Sequence, residues 1–233
     1  AWAGSQRYGA LVWSGDIVST FECFRRQVQA GLNMAIAGIP WWTTDIGGFH
    51  GARTDDPDFH RLYIRWFEYG CFCPVMRLHG NRNPQEGYGA EQIGSGSDNE
   101  IWSFGDKAYE ISKKYIFLRE RLRDYIRTQM KKAHEDGTPM MRPVFYDFPT
   151  DQESWNVEDA YLFGPDLYVA PVMEDHVTER EVYLPDGTAW FNAWTGEKYE
   201  GGQNVTVAAP LDTIPVFVKE GADAEKLLNI FSE

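Results

Sequence analysis

Short apolar runs alternate with helix-spaced apolar residues through the first part of the chain. Residues 8–13 and 33–39 are short, apolar and bounded by glycine, which predicts two buried strands. Between these runs, apolar side chains recur at helical spacing at Phe21, Phe24, Val28 and Leu32. The order strand, helix, strand is the repeating unit of a parallel α/β fold.

The pattern continues with longer elements. A second helix is predicted from about Asp58 to Tyr69, and the apolar run Cys71–Leu78 predicts a third strand that ends at His79. The polar stretch Gly80–Asn99 is too long for a simple connector and is interpreted as an active-site loop. A long amphipathic helix is predicted from Asp106 to about Glu135, and Gly137 ends it.

After Pro149 the pattern changes to short runs rich in Val, Tyr and Phe, separated by turn sequences such as Pro185-Asp186-Gly187. The predicted strand regions are Tyr161–Val172, Arg180–Leu184, Ala189–Trp194, Asn204–Val207 and Thr213–Val218. Turns about every ten residues favour an antiparallel β-sandwich. We therefore predict two domains, residues 1–150 and residues 151–233.

Composition narrows the classes of partner. The 233 residues are 43% hydrophobic and 15% aromatic, enough for substantial cores. A net charge of −13 argues against nucleic acid and against an anionic membrane surface, so no nucleic-acid or membrane partner is predicted. The nine tryptophans indicate either a carbohydrate site or an aromatic core.

The three cysteines, Cys23, Cys71 and Cys73, lack the spacing of a zinc site or of a disulfide framework. We expect buried free thiols, no metal, and no sign of an oxidising compartment, which slightly favours a cytoplasmic location. No apolar run of about 20 residues and no leader-like segment occurs. However, the first residues begin within a motif, so the location of a longer parent protein cannot be inferred.

Two carboxylates follow strand-like runs. Asp16 ends the run Arg7–Asp16, and Asp45 lies in the segment Trp41–Phe49, both where apolar sequence changes to glycine-rich loop. In α/β barrels, catalytic side chains project from such strand ends. The neighbouring aromatic side chains offer flat faces on which sugar rings stack: Trp13, Trp41, Trp42 and Phe49.

Three motifs in order carry a family resemblance: Trp13-Ser14-Gly15-Asp16, Asp45-Ile46-Gly47-Gly48-Phe49 and Met76-Arg77-Leu78-His79-Gly80. They resemble glycoside hydrolase family 31, and the similarity extends through Gly137–Pro143 and Phe163–Val172. The resemblance implies the C-terminal half of a (β/α)8 TIM barrel followed by an antiparallel β-sandwich. It implies a retaining exo-α-glycosidase that acts on α-xylosides or α-glucosides without a cofactor. Enzymes specific for α-N-acetylgalactosaminides share this scaffold.

By this resemblance Asp16 is the general acid/base, and Asp45 binds hydroxyls of the substrate sugar, unless it only stabilises its turn. His79 resembles a histidine that donates to sugar hydroxyls, with a structural role as the alternative. Trp13 and Phe49 match the aromatic wall of the sugar subsite or, alternatively, pack in the core. For Arg77, two positions before His79, orienting a carboxylate and simply pairing with one are both open.

The resemblance also implies that the nucleophile belongs to an upstream Trp-x-Asp-x-Asn-Glu motif, which this sequence lacks. Asp98-Asn99-Glu100 is a superficial match only, because it lacks the intervening residue and follows Asp16. A substrate-binding arginine is likewise expected just before Ala1. The chain then needs the N-terminal half of the barrel as a partner. The alternative is a non-catalytic carbohydrate-binding fragment.

Overall fold

The computed structural model describes residues 4–84, 96–221 and 223–232. Its helices are α1 (Phe21–Ile36), α2 (Pro57–Cys71), α3 (Gly105–Arg121), α4 (Arg123–Glu135) and α5 (Ala224–Ser232). The first strands are β1 (Val12–Trp13), β2 (Trp42–Thr43), β3 (Met141–Arg142), β4 (Tyr161–Phe163) and β5 (Leu167–Val169). The remaining strands are β6 (Glu179–Leu184), β7 (Ala189–Asn192), β8 (Lys198–Glu200), β9 (Gln203–Ala208) and β10 (Val216–Lys219). No described helix meets the length and apolarity that a membrane span requires.

The N-terminal part is built from parallel strands joined by helices. β1 pairs in parallel with β2, with Val12 opposite Trp42, and α1 connects the two strands. Residues 75–77 run beside β2: the Val75 N–H donates to the Trp42 carbonyl over 3.2 Å, and the Arg77 carbonyl accepts from the Ile46 N–H over 3.2 Å. Three neighbouring chain segments therefore end at the same edge.

Several predicted strands differ from the structure. Only Val12–Trp13 of the run 8–13 is a strand, because a 3-10 helix includes Tyr8 and the left-handed backbone of Gly9 (φ 71°) follows it. The predicted strand 33–39 is wrong, since α1 continues to Ile36 and buries Val28, Leu32 and Ala35 on one face. A short apolar run cannot be distinguished from a buried helix end by its pattern alone.

The helices of this part lie where they are predicted, although their bounds differ. The predicted strand Cys71–Leu78 is wrong: α2 extends to Cys71, and the residues that follow form a turn and irregular backbone beside β2. The predicted helix Asp106–Glu135 is two helices, α3 and α4, which meet at Leu122. Much of the predicted loop Gly80–Asn99 lies outside the described residues. Cys71 and Cys73 are buried free thiols as predicted, whereas Cys23 is half-buried.

The C-terminal part contains two antiparallel sheets. One has the strand order β3-β4-β5-β10-β7-β8, and the other pairs β6 with β9. The predicted run Tyr161–Val172 is a hairpin of β4 and β5 around Gly164. The two sheets bury a common apolar layer that includes Leu162, Trp190 and Phe217 from the larger sheet and Val182 from the smaller. The predicted sandwich is therefore present.

The other face of the large sheet packs against the helices. Tyr161, Phe163 and Val216 belong to the same buried core as Trp66 and Phe72 of the α2 region. The Tyr161 hydroxyl donates to the Phe72 carbonyl over 3.0 Å. β3, which precedes residue 150, pairs with β4 in this sheet. A domain boundary near residue 150 stays a prediction.

A buried charged pair lies where α2 meets the C-terminal part. Arg65 is 3% exposed and donates to carbonyls of the segment 209–213 and to the Val177 carbonyl. It also donates to Glu68 Oε2 over 3.2 Å, and Glu68 is fully buried. Burial raises the pKa of Glu68 to about 8, and its effect exceeds the opposing effect of Arg65. Most of the Arg65 donors bind carbonyl groups and not the Glu68 carboxylate.

This pKa predicts how stability depends on pH. Between the ordinary pKa of 4.5 and about 8, the folded state binds a proton at Glu68 that the unfolded state has released. The free energy of unfolding therefore falls as pH rises through this window, by at most ~1.4 kcal/mol per pH unit from this group. Glu68→Gln removes this component, so its denaturant midpoint varies less between pH 5 and 8.

Glu110→Gln is the matched control, because Glu110 is exposed and pairs with Lys113 at the surface. It should keep the wild-type pH dependence. Parallel curves for wild type and Glu68→Gln would show that Glu68 is ionised in the folded protein throughout this range.

Candidate active site

The candidate site lies at the shared edge where the parallel segments end. Asp16 follows β1 by three residues, and Asp45 follows β2 by two. Arg77 and His79 lie at the end of the third segment, beside β2. The parallel pairing therefore brings side chains that are distant in sequence to one place, as in the strand-end sites of α/β barrels.

Asp45 is the buried centre of this group. Its side chain is 0% exposed, and its Oδ1 accepts a hydrogen bond from Arg77 Nη1. Its Oδ2 is buried without a hydrogen-bond partner among the described residues. Burial raises the pKa of Asp45, while the positive charge of Arg77 opposes this increase. The negative charge of Asp16 also acts to raise the pKa of Asp45.

Exposure separates the two carboxylates. Asp16 is exposed, whereas Asp45 is covered. Such a pair can divide acid/base work from electrostatic support, because the two environments differ.

Aromatic rings border the carboxylates. The Trp13 ring is 48% exposed, and the Arg77 guanidinium lies 5.8 Å from its centroid. The half-buried Phe49 ring lies 5.4 Å from the His79 ring. The alternatives for Trp13, a wall of the sugar subsite or a core residue, both stay predictions.

Contacts link Trp13 to Arg77, Arg77 to Asp45 and Phe49 to His79, and Asp16 directly precedes Ile17, whose carbonyl accepts from the Phe49 N–H. The six predicted site residues are named here the strand-end cluster: Trp13, Asp16, Asp45, Phe49, Arg77 and His79. The contacts establish proximity, and the role of each residue stays a prediction. The Arg77–Asp45 ion pair satisfies both of the alternatives considered for Arg77, because pairing with the carboxylate also orients it.

The backbone links two of the loops that carry the cluster. The Ile17 carbonyl accepts hydrogen bonds from the N–H groups of Phe49, over 2.7 Å, and His50, over 3.0 Å. The Ser19 N–H donates to the His50 carbonyl over 2.8 Å. The loop after β1 and the loop after β2 are thereby joined, so Asp16 and Phe49 are held on one connected frame.

One buried cation in this region was missed by the sequence analysis. Arg82 is 0% exposed and donates to carbonyls of the Asp45–Phe49 loop. Burial lowers its pKa to about 10, so it remains a cation at neutral pH. Arg82 lies between Asn81 and Asn83 in polar sequence, a context typical of an exposed loop, and no periodicity marks it as buried.

The segment Asp98-Asn99-Glu100 has a structural role. Asp98 and Glu100 are exposed, and Glu100 Oε2 accepts from the Asn99 N–H over 3.1 Å. Asn99 Oδ1 accepts from Arg82 Nε over 2.8 Å. Among the residues that the structure describes, no group of three or more His, Cys, Asp and Glu side chains is arranged to hold a metal ion.

Comparison with protein-family models gives two matches. Residues 1–129 match the glycosyl hydrolases family 31 TIM-barrel domain, and residues 137–222 match the glycosyl hydrolase family 31 C-terminal domain. The first match alone covers more than half of the chain. The strand-end cluster lies entirely within it. These matches confirm the predicted fold class.

Relatives support the same assignment. An α-xylosidase of Saccharolobus solfataricus is 40% identical over 95% of this chain and 28% of its own length. Alpha-glucosidase 2 of Bacillus thermoamyloliquefaciens is 36% identical over 94% of this chain and 26% of its own length. The crystal structure of a soil-metagenome α-xylosidase complexed with xylose superposes with a TM-score of 0.93 at 55% identity, covering 98% of this chain and 35% of that one. The chain thus spans about a third of the length of these relatives or less.

The turn after Asp45 generates a prediction. Gly48 has φ 77°, and a Cβ there would lie 2.8 Å from Ser19 Cα. Gly48→Ala therefore combines backbone strain of about 1–2 kcal/mol with an overpacking cost of about 1–3 kcal/mol. We expect the larger loss in denaturation experiments for this variant than for Gly51→Ala, because Gly51 has φ 88° but no atom within 4 Å of a Cβ. Equal losses would mean that the two loops can separate at no cost.

Proposed function

Because the chain belongs to glycosyl hydrolase family 31, we propose that it supplies the acid/base part of the active site of a retaining exo-α-glycosidase. One observation supports this proposal above the others. Asp16 follows a parallel strand at the same edge as Asp45, a buried carboxylate paired with Arg77, inside the matched barrel part. A carboxylic acid held at a strand end, next to a fixed ion pair, is suited to transfer a proton to a bound substrate.

In the proposed mechanism, protonated Asp16 gives its proton to the glycosidic oxygen as the bond to the anomeric carbon breaks. A nucleophilic carboxylate from the N-terminal part of the barrel attacks that carbon and forms a glycosyl-enzyme ester. Asp16, now a carboxylate, takes a proton from a water molecule as the water oxygen attacks the anomeric carbon. The ester bond to the nucleophilic carboxylate breaks, and the sugar is released with retained configuration. At the end of this second step Asp16 is protonated again, as it was at the start.

The remaining members of the strand-end cluster are proposed to bind the sugar. Trp13 and Phe49 provide apolar faces for the ring. Arg77 and His79 donate hydrogen bonds to hydroxyls. Asp45 accepts one through Oδ2, the buried oxygen that has no partner among the described residues and would gain from a hydroxyl donor.

For the substrate, we place terminal α-xylosides first and α-glucosides second. The names of the relatives support this order, because two of the three compared proteins are α-xylosidases and one is an α-glucosidase. The soil-metagenome relative was crystallised with xylose. An α-N-acetylgalactosaminidase of the same family and a non-catalytic carbohydrate-binding fragment are the alternatives that substrate screening would separate.

The assigned role of Asp16 predicts a kinetic signature in the complete enzyme. Asp16→Ala should lower turnover of substrates with poor leaving groups by about 10²–10⁴-fold, and of activated aryl glycosides much less, because only the former need protonation. Added azide should restore turnover and give an α-glycosyl azide, since the second displacement no longer needs a base. Steady-state kinetics with a series of aryl α-xylosides, with product analysis, measures both effects.

Asp106→Ala, which removes an exposed carboxylate in the first turn of α3, is the control and should leave the leaving-group dependence unchanged. A uniform loss on all substrates, without an azide adduct, would remove Asp16 from the acid/base role.

The 233-residue chain by itself is predicted to be inactive on α-glycosides, because the expected nucleophile belongs to the upstream motif. Purified chain incubated with an aryl α-xyloside should release less than one equivalent of aryl alcohol. Release of one equivalent or more that disappears in Asp16→Ala would show that a nucleophile lies within these residues.

A further inference from the structure

Arg82 binds the turn that carries two members of the strand-end cluster. Its Nη1 donates to the Gly48 carbonyl over 2.7 Å, and its Nη2 donates to the Ile46 carbonyl over 3.0 Å. These carbonyls lie on either side of Gly47, directly between Asp45 and Phe49. One rigid guanidinium thus fixes the two peptide groups that determine the direction of the turn.

The arginine is itself held in place. Its Nε donates to Asn99 Oδ1 over 2.8 Å, and its guanidinium lies 4.8 Å from the centroid of the Phe59 ring. The carbonyl of Arg82 accepts from the Ser97 N–H over 3.0 Å. The next residue, Asn83, pairs with the backbone of residues 52 and 54. The bonds from Arg82 to the turn therefore connect it to a second, separately anchored part of the fold.

Space around the guanidinium is matched to its shape. A Cβ at Gly80 would lie 2.4 Å from Arg82 Cζ, and a Cβ at Gly47 would lie 3.2 Å from its Nη2. Both neighbours are glycines, so the planar group fits between two stretches of main chain. Gly47 also has φ 84°, which only glycine adopts without strain.

From these contacts we infer that Arg82 is a positioning residue for the active site: it sets the turn that places the Asp45 carboxylate and the Phe49 ring for the substrate sugar. It acts through the backbone and touches neither the sugar nor the reacting atoms. This inference rests on the proposed function for its kinetic consequence. Its structural consequence, order in residues 46–50, is independent of that function.

Electrostatics adds a second effect on Asp45. Arg82 and Asp45 each favour the charged form of the other, and Arg77 contributes a further positive charge at Oδ1. A buried carboxylate without such cations would bind a proton and lose its pairing. Arg82 therefore supports both the position and the charge of Asp45.

The test compares Arg82→Lys with Arg142→Lys in the complete enzyme. Lysine keeps the charge at position 82 but lacks the planar fork, so it cannot bond both carbonyls in the same geometry. We expect kcat/KM for an aryl α-xyloside to fall by about 10- to 100-fold, chiefly through KM. Asn99→Ala, which removes only the acceptor of Nε, should shift KM in the same direction by a smaller factor.

Arg142 is the matched control because it is also buried, donates to Asp147 and to the Pro139 carbonyl, and belongs to the C-terminal sheet. Arg142→Lys should lower the melting temperature without changing KM. This comparison separates positioning from general loss of stability.

Hydrogen exchange provides the readout that does not need activity. In Arg82→Lys, backbone amides of residues 46–50 should exchange about tenfold faster, whereas those of α2 should keep their protection. If the complete enzyme hydrolyses no α-glycoside, the proposed function fails, and this exchange result still decides the role of Arg82. Unchanged exchange at 46–50, or equal KM in the two lysine variants, would overturn the inference.

Discussion

The parallel pairing of Val12–Trp13 with Trp42–Thr43 is the constraint on which the site depends. Only two residue pairs form this ladder, yet it directs both following loops to the same edge, and residues 75–77 extend the arrangement beside Trp42. In an antiparallel pair the two chain ends would lie at opposite edges, and Asp16 and Asp45 would be separated. The parallel direction of the strands therefore brings the site residues together without requiring contacts between their side chains.

The motifs around Asp16, Asp45 and Arg77 meet at one edge, as their positions after strand-like runs and their resemblance to a known family led us to expect, whereas the elements that carry them were predicted less well. The roles of these residues stay predictions. The strand at 33–39 failed because helix and strand signals coincide in short apolar runs, and the helix end is determined by packing of Leu32 and Ala35. Tertiary contacts of this kind are not visible in local sequence.

Arginines that bind irregular backbone were the least predictable feature. Arg65 donates to carbonyls of the segment 209–213, Arg82 to those of the Asp45–Phe49 loop, and Arg119 to the carbonyls of residues 71, 73 and 74. Each is buried or half-buried. Arginine side chains are mostly exposed in folded proteins, and the carbonyls that bind these three lie far from them in sequence or in irregular backbone, so their burial could not be inferred from pattern.

A physical reason explains why arginine occurs at these places. Loops at strand ends leave carbonyls outside any ladder, and an unsatisfied buried carbonyl costs about 1–3 kcal/mol. One guanidinium carries five donors in a fixed plane and can satisfy several such carbonyls together. It also fixes their relative direction, which a set of water molecules would not. At Arg65 these hydrogen bonds join α2 to the C-terminal part. At Arg82 they hold the turn between the buried Asp45 carboxylate and the Phe49 ring, so a rigid backbone fixes the positions of both side chains.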